Sequence, residues 1–373
     1  MEKKMYIRTN PSAIVDRNFG DRLFGANNGE GEFASYYVTH NGQFHADEVF
    51  CVAAMLLAAN QGDPNSAKME YNQMANYRQM CRTPQMADVF VMDENVDKHM
   101  ISFDLQGSMF DHHDAASRKP RSIPEGAQKM KNGKQPFYSS LGVLWNVIGL
   151  GDVFNIDNVP VNQANVKDII DKEIIYPVDC VDNYGPDCGV ESKFSCLISA
   201  MNDFPAWEEG CEHLETYAVD DNMNVTPQFS KAVFLAIDIL ASYIHRAQKF
   251  VSDVKFILDK ESEIGHESPN GIKYIEIPLV KSEDEKPITI SLLAMNETPY
   301  RILVNCNKSN RDGTFRVISS LSDEISFGEE CSKAPGLVFR HANGFLLTFD
   351  TAEHQMEFIS KMVCENGVIR PGI

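Results

Sequence analysis

The sequence is short of basic residues, with 34 lysines and arginines against 53 aspartates and glutamates among 373 residues. The formal net charge of −19 excludes a general electrostatic attraction to nucleic acid or to anionic membranes. A polyanionic substrate would therefore need bound metal ions or a local basic segment. Hydrophobic residues make up 43% of the chain, which is enough for a packed interior, and the length favours two domains.

Paired cysteine motifs and long apolar runs are also missing. The nine cysteines include no Cys-x-x-Cys pair and their number is odd, which argues against a zinc knuckle or a disulfide framework. No run reaches the roughly 18 apolar residues of a membrane span, and the first residues lack the apolar core of a signal peptide. We expect a cytoplasmic protein that does not bind membranes, with a mitochondrial or nuclear location as the alternative in a eukaryote.

Three apolar segments end in acidic or histidine residues, and helical patterns lie between them. Such segments are typical of parallel strands covered on both faces, and ligands of these sheets gather at the carboxyl ends of the strands. The sequence therefore predicts an α/β fold with a site at this edge. The segments are SYYVTH ending at His40, ADVFVMDENVD with Asp93, and MISFDLQGSMFDHHD with Asp111, His112 and His113.

Further residues of the same chemical types stand at helix ends. His45 and Asp47 precede the apolar helical run VFCVAAMLLAAN, and Asp179 and Asp182 lie three apart near the end of a helix predicted over 164–182. A single histidine at a strand end is usually a satisfied polar residue. The whole set of imidazoles and carboxylates instead suits Mn²⁺, Zn²⁺, Fe²⁺ or Co²⁺, and two ions would use all of its members.

The sequence pattern changes from mainly helical to mainly strand-like after a strongly amphipathic helix predicted over 228–250. The segments VKFIL, IKYIEIP, ITISLLAM, YRILVNC and TFRVIS read as strands, and TAEHQMEFISKMV reads as a final helix. The predicted organisation is a polar arm (1–34), a catalytic domain (35–227), a connecting helix (228–252) and a smaller α+β domain that binds substrate (253–373).

The order of these motifs resembles that of the DHH phosphoesterase superfamily. THNGQFHADE, DHHD, SSLGVLW and VDCVDN are similar to motifs of the melanocyte-proliferating-gene-one (Myg-like) family, and GLVFRHANGF resembles its C-terminal motif. The resemblance runs from about residue 36 to the end. It implies a DHH-like parallel sheet with flanking helices, a C-terminal α+β domain, and a site with two metal ions in the interdomain cleft.

The resemblance also assigns roles by position. His113 would touch the phosphate, Asp93 would bridge the ions, and Asp111 would orient a ligating histidine. Mn²⁺ is the expected metal, with Zn²⁺, Fe²⁺, Co²⁺ and Mg²⁺ as alternatives, because other branches have aspartate where this chain has His45. The implied metal ligands are His40, His45, Asp47, Asp93, His112 and Asp182, with Asp179 as the alternative to Asp182.

Substrate contacts are expected from two basic segments. The loop after DHHD carries Arg118, Lys119 and Arg121 together with three further lysines, and it would guide a phosphate backbone. In the C-terminal motif, Arg340 and His341 would clamp the substrate. The alternatives are a solvated loop without a partner and a hairpin with exposed polar residues.

The implied activity is metal-dependent phosphodiester hydrolysis, in which hydroxide attacks phosphorus, as a 3′–5′ exonuclease on RNA or short oligonucleotides. The alternatives are hydrolysis of a small phosphorylated metabolite, such as a dinucleotide or pyrophosphate, and metal binding without turnover. The sequence is compatible with a homodimer but does not decide the oligomeric state. Glu48 reads equally as support for the metal ligands and as a carboxylate at a helix N-terminus, whereas Ser139 and Ser140 read as helix caps.

Overall fold

Two compact units make up the chain in the computed structural model. Unit 1 contains the described residues up to Asn155 and those from Asn165 to Gln248, and unit 2 contains Ile156 and those from Lys249 onward. The predicted arm 1–34 lies outside the described residues. The structure describes residues 35–40, 43–76, 80–83, 99–102, 104, 112, 118–156, 165–202, 227–280, 288–309, 311–320 and 325–372.

A parallel sheet positions the site in unit 1. Strand β1 (Ser35–His40) lies between β2 (Met80–Thr83) and β3 (His99–Ser102), and it runs parallel to both. The carboxyl ends of these strands therefore lie at the same edge. Helices alternate with these strands along the chain, because two helices lie between β1 and β2 and others follow β3. The predicted α/β class is therefore confirmed.

Helix α1 (Ala46–Ala59) follows β1 and lies in the core of unit 1. Its residues from Ala46 to Ala58 are all buried, as expected from the continuous apolar run in the sequence. Helix α2 (Pro64–Asn76) follows after a turn in which the Asp63 carboxylate accepts hydrogen bonds from the backbone of Asn65 and Ser66. Because only five residues separate the end of β1 from the start of α1, the first turn of α1 lies near the carboxyl edge of the sheet.

Two segments in the middle of the chain are helical but irregular, and the second corresponds to the helix predicted over 164–182. The first consists of a short α-turn, a π-turn and a 3₁₀-turn (Ser140–Gly142, Val143–Val147 and Leu150–Phe154). The second consists of α3 (Val166–Ile170), a π-turn (Asp171–Ile175) and α4 (Tyr176–Tyr184). Pro177 lacks the amide that would continue the α-helical ladder, which accounts for the π-turn before it. Helix α5 (Lys193–Met201) completes this part.

Helix α6 (Pro227–Asp259) contributes to both units and is longer than the sequence predicts. VKFIL, predicted as a strand, forms its last turns. Val254 and Ile257 lie three residues apart on one face, and both are buried in the core of unit 2. Tertiary packing of that face thus overrides the β-branched character of the segment.

Unit 2 is an α+β unit around a six-stranded mixed sheet. In spatial order its strands are Gly265–Glu267 (β4), Lys273–Ile277 (β5), Ile302–Asn305 (β6), Phe315–Ser319 (β7), Leu346–Phe349 (β10) and Leu337–Arg340 (β9). A smaller sheet packs into the same core, with strands in the order Met362–Glu365 (β11), Val368–Pro371 (β12) and Ser326–Phe327 (β8). The prediction of a strand in ITISLLAM is wrong, because Leu292–Met295 is a short helix with Ala294 and Met295 buried.

The predicted final helix is confirmed as α7 (Ala352–Lys361). None of the described helices combines the length and the apolar composition that crossing a membrane requires. The remaining short helical turns are Lys131–Gly133, Pro186–Cys188, Glu261–Ile264 and Glu329–Lys333.

Candidate metal centre

Five acidic and imidazole side chains converge at the carboxyl edge of the parallel sheet. They form two overlapping groups, His45 with Asp47 and Asp104, and Asp47 with His112 and Asp182. Within each group, one ligand atom from each residue lies within 4.8 Å of the others. His45 and Asp47 come from the start of α1, Asp104 follows β3, and Asp182 lies in α4.

Asp47 belongs to both groups and is fully buried. Neither of its carboxylate oxygens has a hydrogen-bond partner among the described residues. Burial raises the pKa of Asp47 well above its usual value, and the nearby carboxylates of Asp104 and Asp182 raise it further. An uncompensated buried carboxylate is costly, so either a proton or a bound cation neutralises Asp47, and its place in both ligand groups makes it a candidate metal ligand.

The histidine of each group faces a carboxylate. His112 Nε2 lies 2.8 Å from Asp182 Oδ2 and 3.9 Å from Asp104 Oδ1. Burial lowers the pKa of His112, but Asp182 and Asp104 outweigh burial and raise it overall. His45 Nδ1 lies 3.6 Å from Asp104 Oδ2, and Asp104 raises the pKa of His45. Its side chain is 55% exposed, so His45 forms the open side of the centre.

Asp104 is a site residue that the sequence reasoning missed. It lies two residues after β3, is buried, and has a left-handed backbone with φ of 49°, which few residues other than glycine adopt. Its backbone amide donates to Ser140 Oγ over 3.0 Å. The rule that selected Asp93, an aspartate just after an apolar strand, applies equally to Asp104 in ISFD and could have found it.

Glu48 is a carboxylate in the first turn of a helix, as one of its two interpretations predicts, and its support for metal ligands stays a prediction. Its Oε1 accepts a 3.0 Å hydrogen bond from the backbone amide of His45, as a carboxylate in the first turn of α1 does. Its Oε2 accepts a hydrogen bond from the Thr39 hydroxyl at the end of β1. Glu48 thereby links the end of β1 to the backbone of His45.

The capping role predicted for the two serines is wrong. Ser139 stands at the helix N-terminus, but its hydroxyl donates to Asp179 Oδ1 over 2.6 Å instead of capping. Ser140 Oγ lies 3.4 Å from His112 Nδ1 and accepts from the Asp104 amide. Ser140 therefore contacts one residue of each group.

Asp179 and Asp182 occupy different environments. Asp182 faces His112, whereas Asp179 is fully buried and accepts hydrogen bonds from the amide and hydroxyl of Ser139. Asp179 also forms an ion pair with Arg121. Among the described residues, Asp179 belongs to neither group of candidate ligands.

The expectation that Arg121 binds substrate needs correction. Its side chain is 1% exposed, and its guanidinium pairs with Asp179 and, at 2.6 Å, with Asp171. The rings of Tyr138 and Tyr176 lie 5.0 and 4.9 Å from it. Because both carboxylates are buried, the arginine is held inside unit 1 and is not presented to a phosphate backbone.

The other basic residues of this loop remain outside the core. Arg118 and Lys119 are exposed, and Arg118 Nε donates to the backbone oxygen of His112 over 3.1 Å. Arg118 therefore lies directly beside the candidate metal centre. The structure does not bring Lys119 into either group of candidate ligands.

In unit 2, Arg340 and His341 make local contacts. The guanidinium of Arg340 donates to the backbone oxygen of Phe327 over 3.1 and 2.8 Å, which links β9 to β8. The His341 ring lies 4.2 Å from the ring of Phe345 in the turn before β10. The clamping role of both residues stays a prediction.

Several predicted residues cannot be placed. Asp93, Asp111, His113 and the side chain of His40 lie outside the described residues. The backbone of His40 pairs with Thr83 at the end of β1, which is the edge where the other candidates meet.

Comparison with curated proteins gives no match, and comparison with solved structures gives none either. A family model does match residues 37–280, a range that includes every member of both candidate ligand groups. The chain therefore belongs to the family MYG1_exonuc, described as uncharacterised protein family UPF0160.

Proposed function

We propose that this protein is a metal-dependent phosphodiesterase that removes nucleotides from an end of RNA or of short oligonucleotides, with a DHH-type fold. One observation carries the proposal: the buried Asp47 carboxylate is shared by two groups of candidate ligands and has no hydrogen-bond partner among the described residues. The family name, which refers to an exonuclease, agrees with this activity.

The donor set fits divalent transition-metal ions. His45, Asp47 and Asp104 would hold one ion, and Asp47, His112 and Asp182 would hold the other. Mixed imidazole and carboxylate ligands without a thiolate suit Mn²⁺ first, with Zn²⁺, Fe²⁺, Co²⁺ and Mg²⁺ as alternatives. The ligand roles of His40 and Asp93 remain part of the proposal.

When bound, the ions would lower the pKa of a bound water and would place positive charge near the non-bridging phosphate oxygens. Other residues of the chain hold the candidate ligands in place at the carboxyl edge of the sheet. Glu48 and Ser140 fix the segments that carry His45, Asp104 and His112 through the contacts described above. The guanidinium of Arg118, anchored on the His112 carbonyl, can pair with a phosphate oxygen.

A small phosphorylated substrate is the second candidate, and the net charge of −19 favours it, because such a substrate needs no extended basic surface. Metal binding without turnover is the third.

The test uses the full chain with Mn²⁺ on end-labelled single-stranded RNA, on a dinucleotide and on pyrophosphate. Stepwise shortening of the RNA is expected, with loss of at least a hundredfold in rate for Asp47→Asn. The matched control is Asp238→Asn, which replaces a carboxylate that pairs with Lys68 at the surface.

Cleavage of the dinucleotide or pyrophosphate alone would establish the second candidate. Stoichiometric Mn²⁺ binding, measured by electron paramagnetic resonance, without cleavage of any substrate would establish the third.

A further inference from the structure

A small cavity opens beside the candidate metal centre, within unit 1. Its volume is about 180 Å³, and His45, Asp47 and Asp182 line the side that faces the centre. Sites for drug-sized ligands typically measure about 300–1,000 Å³. The cavity therefore accommodates one ring-sized group attached to a phosphate at the metal centre, and not a whole nucleotide.

The walls of the cavity combine apolar surface with hydroxyl groups. Phe44, Val178 and Val181 supply the apolar part, and Ser195 and Ser199 of α5 supply the hydroxyls. The serines are four residues apart, which places both on one face of the helix. Among the residues that the structure describes, no lysine, arginine or amide side chain lines the cavity.

These walls discriminate between the groups that a phosphodiester carries. A nucleobase would seek an open aromatic face, but the Phe44 ring is only 2% exposed and packs edge-on against Phe229. An alkyl group would leave the two hydroxyls without a ligand partner. A pentose has a C–H face for the valines and hydroxyl groups for the serines.

We propose that this cavity binds the pentose next to the scissile phosphate, and that Ser195 and Ser199 recognise its hydroxyl groups. This inference rests on the proposed function. A site that hydrogen-bonds a substrate hydroxyl disfavours the analogue that lacks it, because the protein groups are then left unpaired. Ser195 and Ser199 would thus set the preference for ribonucleotides over deoxyribonucleotides, since the 2′-hydroxyl distinguishes them.

The hydroxyl groups of the two serines differ in their hydrogen bonds to the rest of the protein. The Ser195 hydroxyl lies 2.7 Å from that of Ser192, which caps α5 by accepting from the Ser195 amide over 3.2 Å. The cap survives a change of the Ser195 side chain, because the bond uses its backbone. The Ser199 hydroxyl has no hydrogen-bond partner among the described residues, so its removal leaves the described hydrogen bonds of the fold intact.

The experiment measures binding to the full Mn²⁺-loaded chain by calorimetry. The probes are adenosine 5′-monophosphate and its 2′-deoxy and 3′-deoxy counterparts. Loss of at least one hydroxyl is expected to weaken binding by about fivefold to tenfold, the size of one net hydrogen bond. The double variant Ser195→Ala/Ser199→Ala is expected to bind all three probes with similar affinity.

Controls separate recognition from folding. Ser360→Ala removes a helix-surface hydroxyl of unit 2 that donates only to the Glu357 carbonyl, and it should keep the discrimination. The single variant Ser199→Ala should lose part of it. Mn²⁺ content is measured for each protein.

Equal binding of the three probes to the unaltered protein would overturn the inference, as would discrimination that persists in the double variant. Weaker binding of all probes with loss of Mn²⁺ would also overturn it, by assigning the serines a structural role. Discrimination without RNA cleavage would refute the proposed function alone, and cleavage without discrimination would refute the inference alone.

Discussion

Arg121 forms a buried ion pair with Asp179, although the two residues stand 58 positions apart in the chain. Asp179 in turn accepts hydrogen bonds from Ser139, and the adjacent Ser140 contacts both His112 and Asp104. The ion pair therefore supports the turn that holds one residue of each candidate ligand group. We infer that it helps to position the candidate metal ligands, and the same guanidinium also pairs with Asp171, so that one cation faces two carboxylates.

The first prediction concerns Arg121→Met, which leaves two buried carboxyls without their cation. We expect the free energy of unfolding to fall by about 3–5 kcal/mol near pH 8. Burial, opposed by Arg121, raises the pKa of Asp179 to about 6 from the usual 3.8, and burial also raises the pKa of Asp171. Urea unfolding followed by tryptophan fluorescence gives the measurement.

The pH dependence has a definite sign. Since the folded carboxyls hold their protons more tightly than the unfolded ones, their contribution to stability is lost as the pH rises from about 4 through 6 and above. Without the arginine the folded pKa values rise further, so the deficit should be smaller at pH 5 than at pH 8. Arg246→Met, which removes an exposed arginine 4.4 Å from the Tyr243 ring, should show a small deficit at both values. An equal deficit for Arg121→Met at both pH values would contradict the explanation.

The second prediction concerns Gly142, whose added Cβ would overlap the Asp179 carboxylate. Gly142→Ala should lower the free energy of unfolding by about 1–3 kcal/mol and reduce Mn²⁺ affinity, because Asp179 cannot move without breaking its bonds. Gly133→Ala is the control, since open space surrounds that position and only its φ of 61° opposes a side chain. A Gly142→Ala protein with unchanged metal affinity would separate Asp179 from the metal centre.

The strand-to-helix junction could be predicted from the sequence, because the apolar strand, the polar residues and the apolar helix follow one another directly in the chain. The apolar run after Asp47 is a core helix, and β1 ends at His40. By contrast, Arg121 has the same appearance in the sequence as Arg118, and its burial depends on two carboxylates about fifty residues later. A basic residue in a polar loop carries no local sign of such a partner.

The two wrong strand assignments have a similar cause. VKFIL and ITISLLAM are short apolar runs rich in β-branched residues, and runs of this length do not distinguish a strand from a buried helical turn. Val254 and Ile257 fit the helical alternative because the core of unit 2 accepts them on one face of α6. The packing partners, such as Ile275, come from a strand that follows later in the chain.

The third prediction concerns the stability cost of Asp47. Without metal, Asp47→Asn should be more stable than the unaltered protein near neutral pH, by roughly 1–3 kcal/mol, because a buried carboxylate without a described partner is removed. Mn²⁺ at a hundred times its dissociation constant should stabilise the unaltered protein by about 2.7 kcal/mol and leave the variant unchanged. Thermal unfolding with and without a chelator provides the comparison, with Asp238→Asn as control. Equal stabilisation of Asp47→Asn by Mn²⁺ would rule out Asp47 as a ligand.

The fourth prediction concerns protons released by metal binding. The pKa of Asp47 is raised by burial and by its acidic neighbours, so its protonated form competes with Mn²⁺. The pKa values of His45 and His112 are also raised, and these imidazoles must be neutral to bind a metal. The apparent affinity should therefore rise with increasing pH, with at least one proton released for each protein loaded. Calorimetry in two buffers of different ionisation enthalpy counts the protons. An affinity that does not change with pH, with no proton released, would contradict the raised pKa values of Asp47, His45 and His112.

The fifth prediction concerns the basic loop, in which four lysines are exposed while Arg121 is buried. If the loop guides a single-stranded phosphate backbone, each lysine that pairs with a phosphate adds about 0.7 to the slope of log affinity against log salt concentration. Neutralising four lysines should therefore reduce the slope for RNA by about 1–3, whereas cleavage of a dinucleotide should hardly change. The substituted lysines are Lys119, Lys129, Lys131 and Lys134.

The control for this loop uses four exposed lysines of unit 2, changed to glutamine in the same way, so that the net charge of both variants is equal. Their slope for RNA should fall less than that of the loop variant if the loop lysines pair directly with phosphates, because each direct pair adds about 0.7 to the slope. Equal slopes for the two variants would show that the loop is solvated without a partner, and would favour a small substrate. The control lysines are Lys273, Lys308, Lys333 and Lys361.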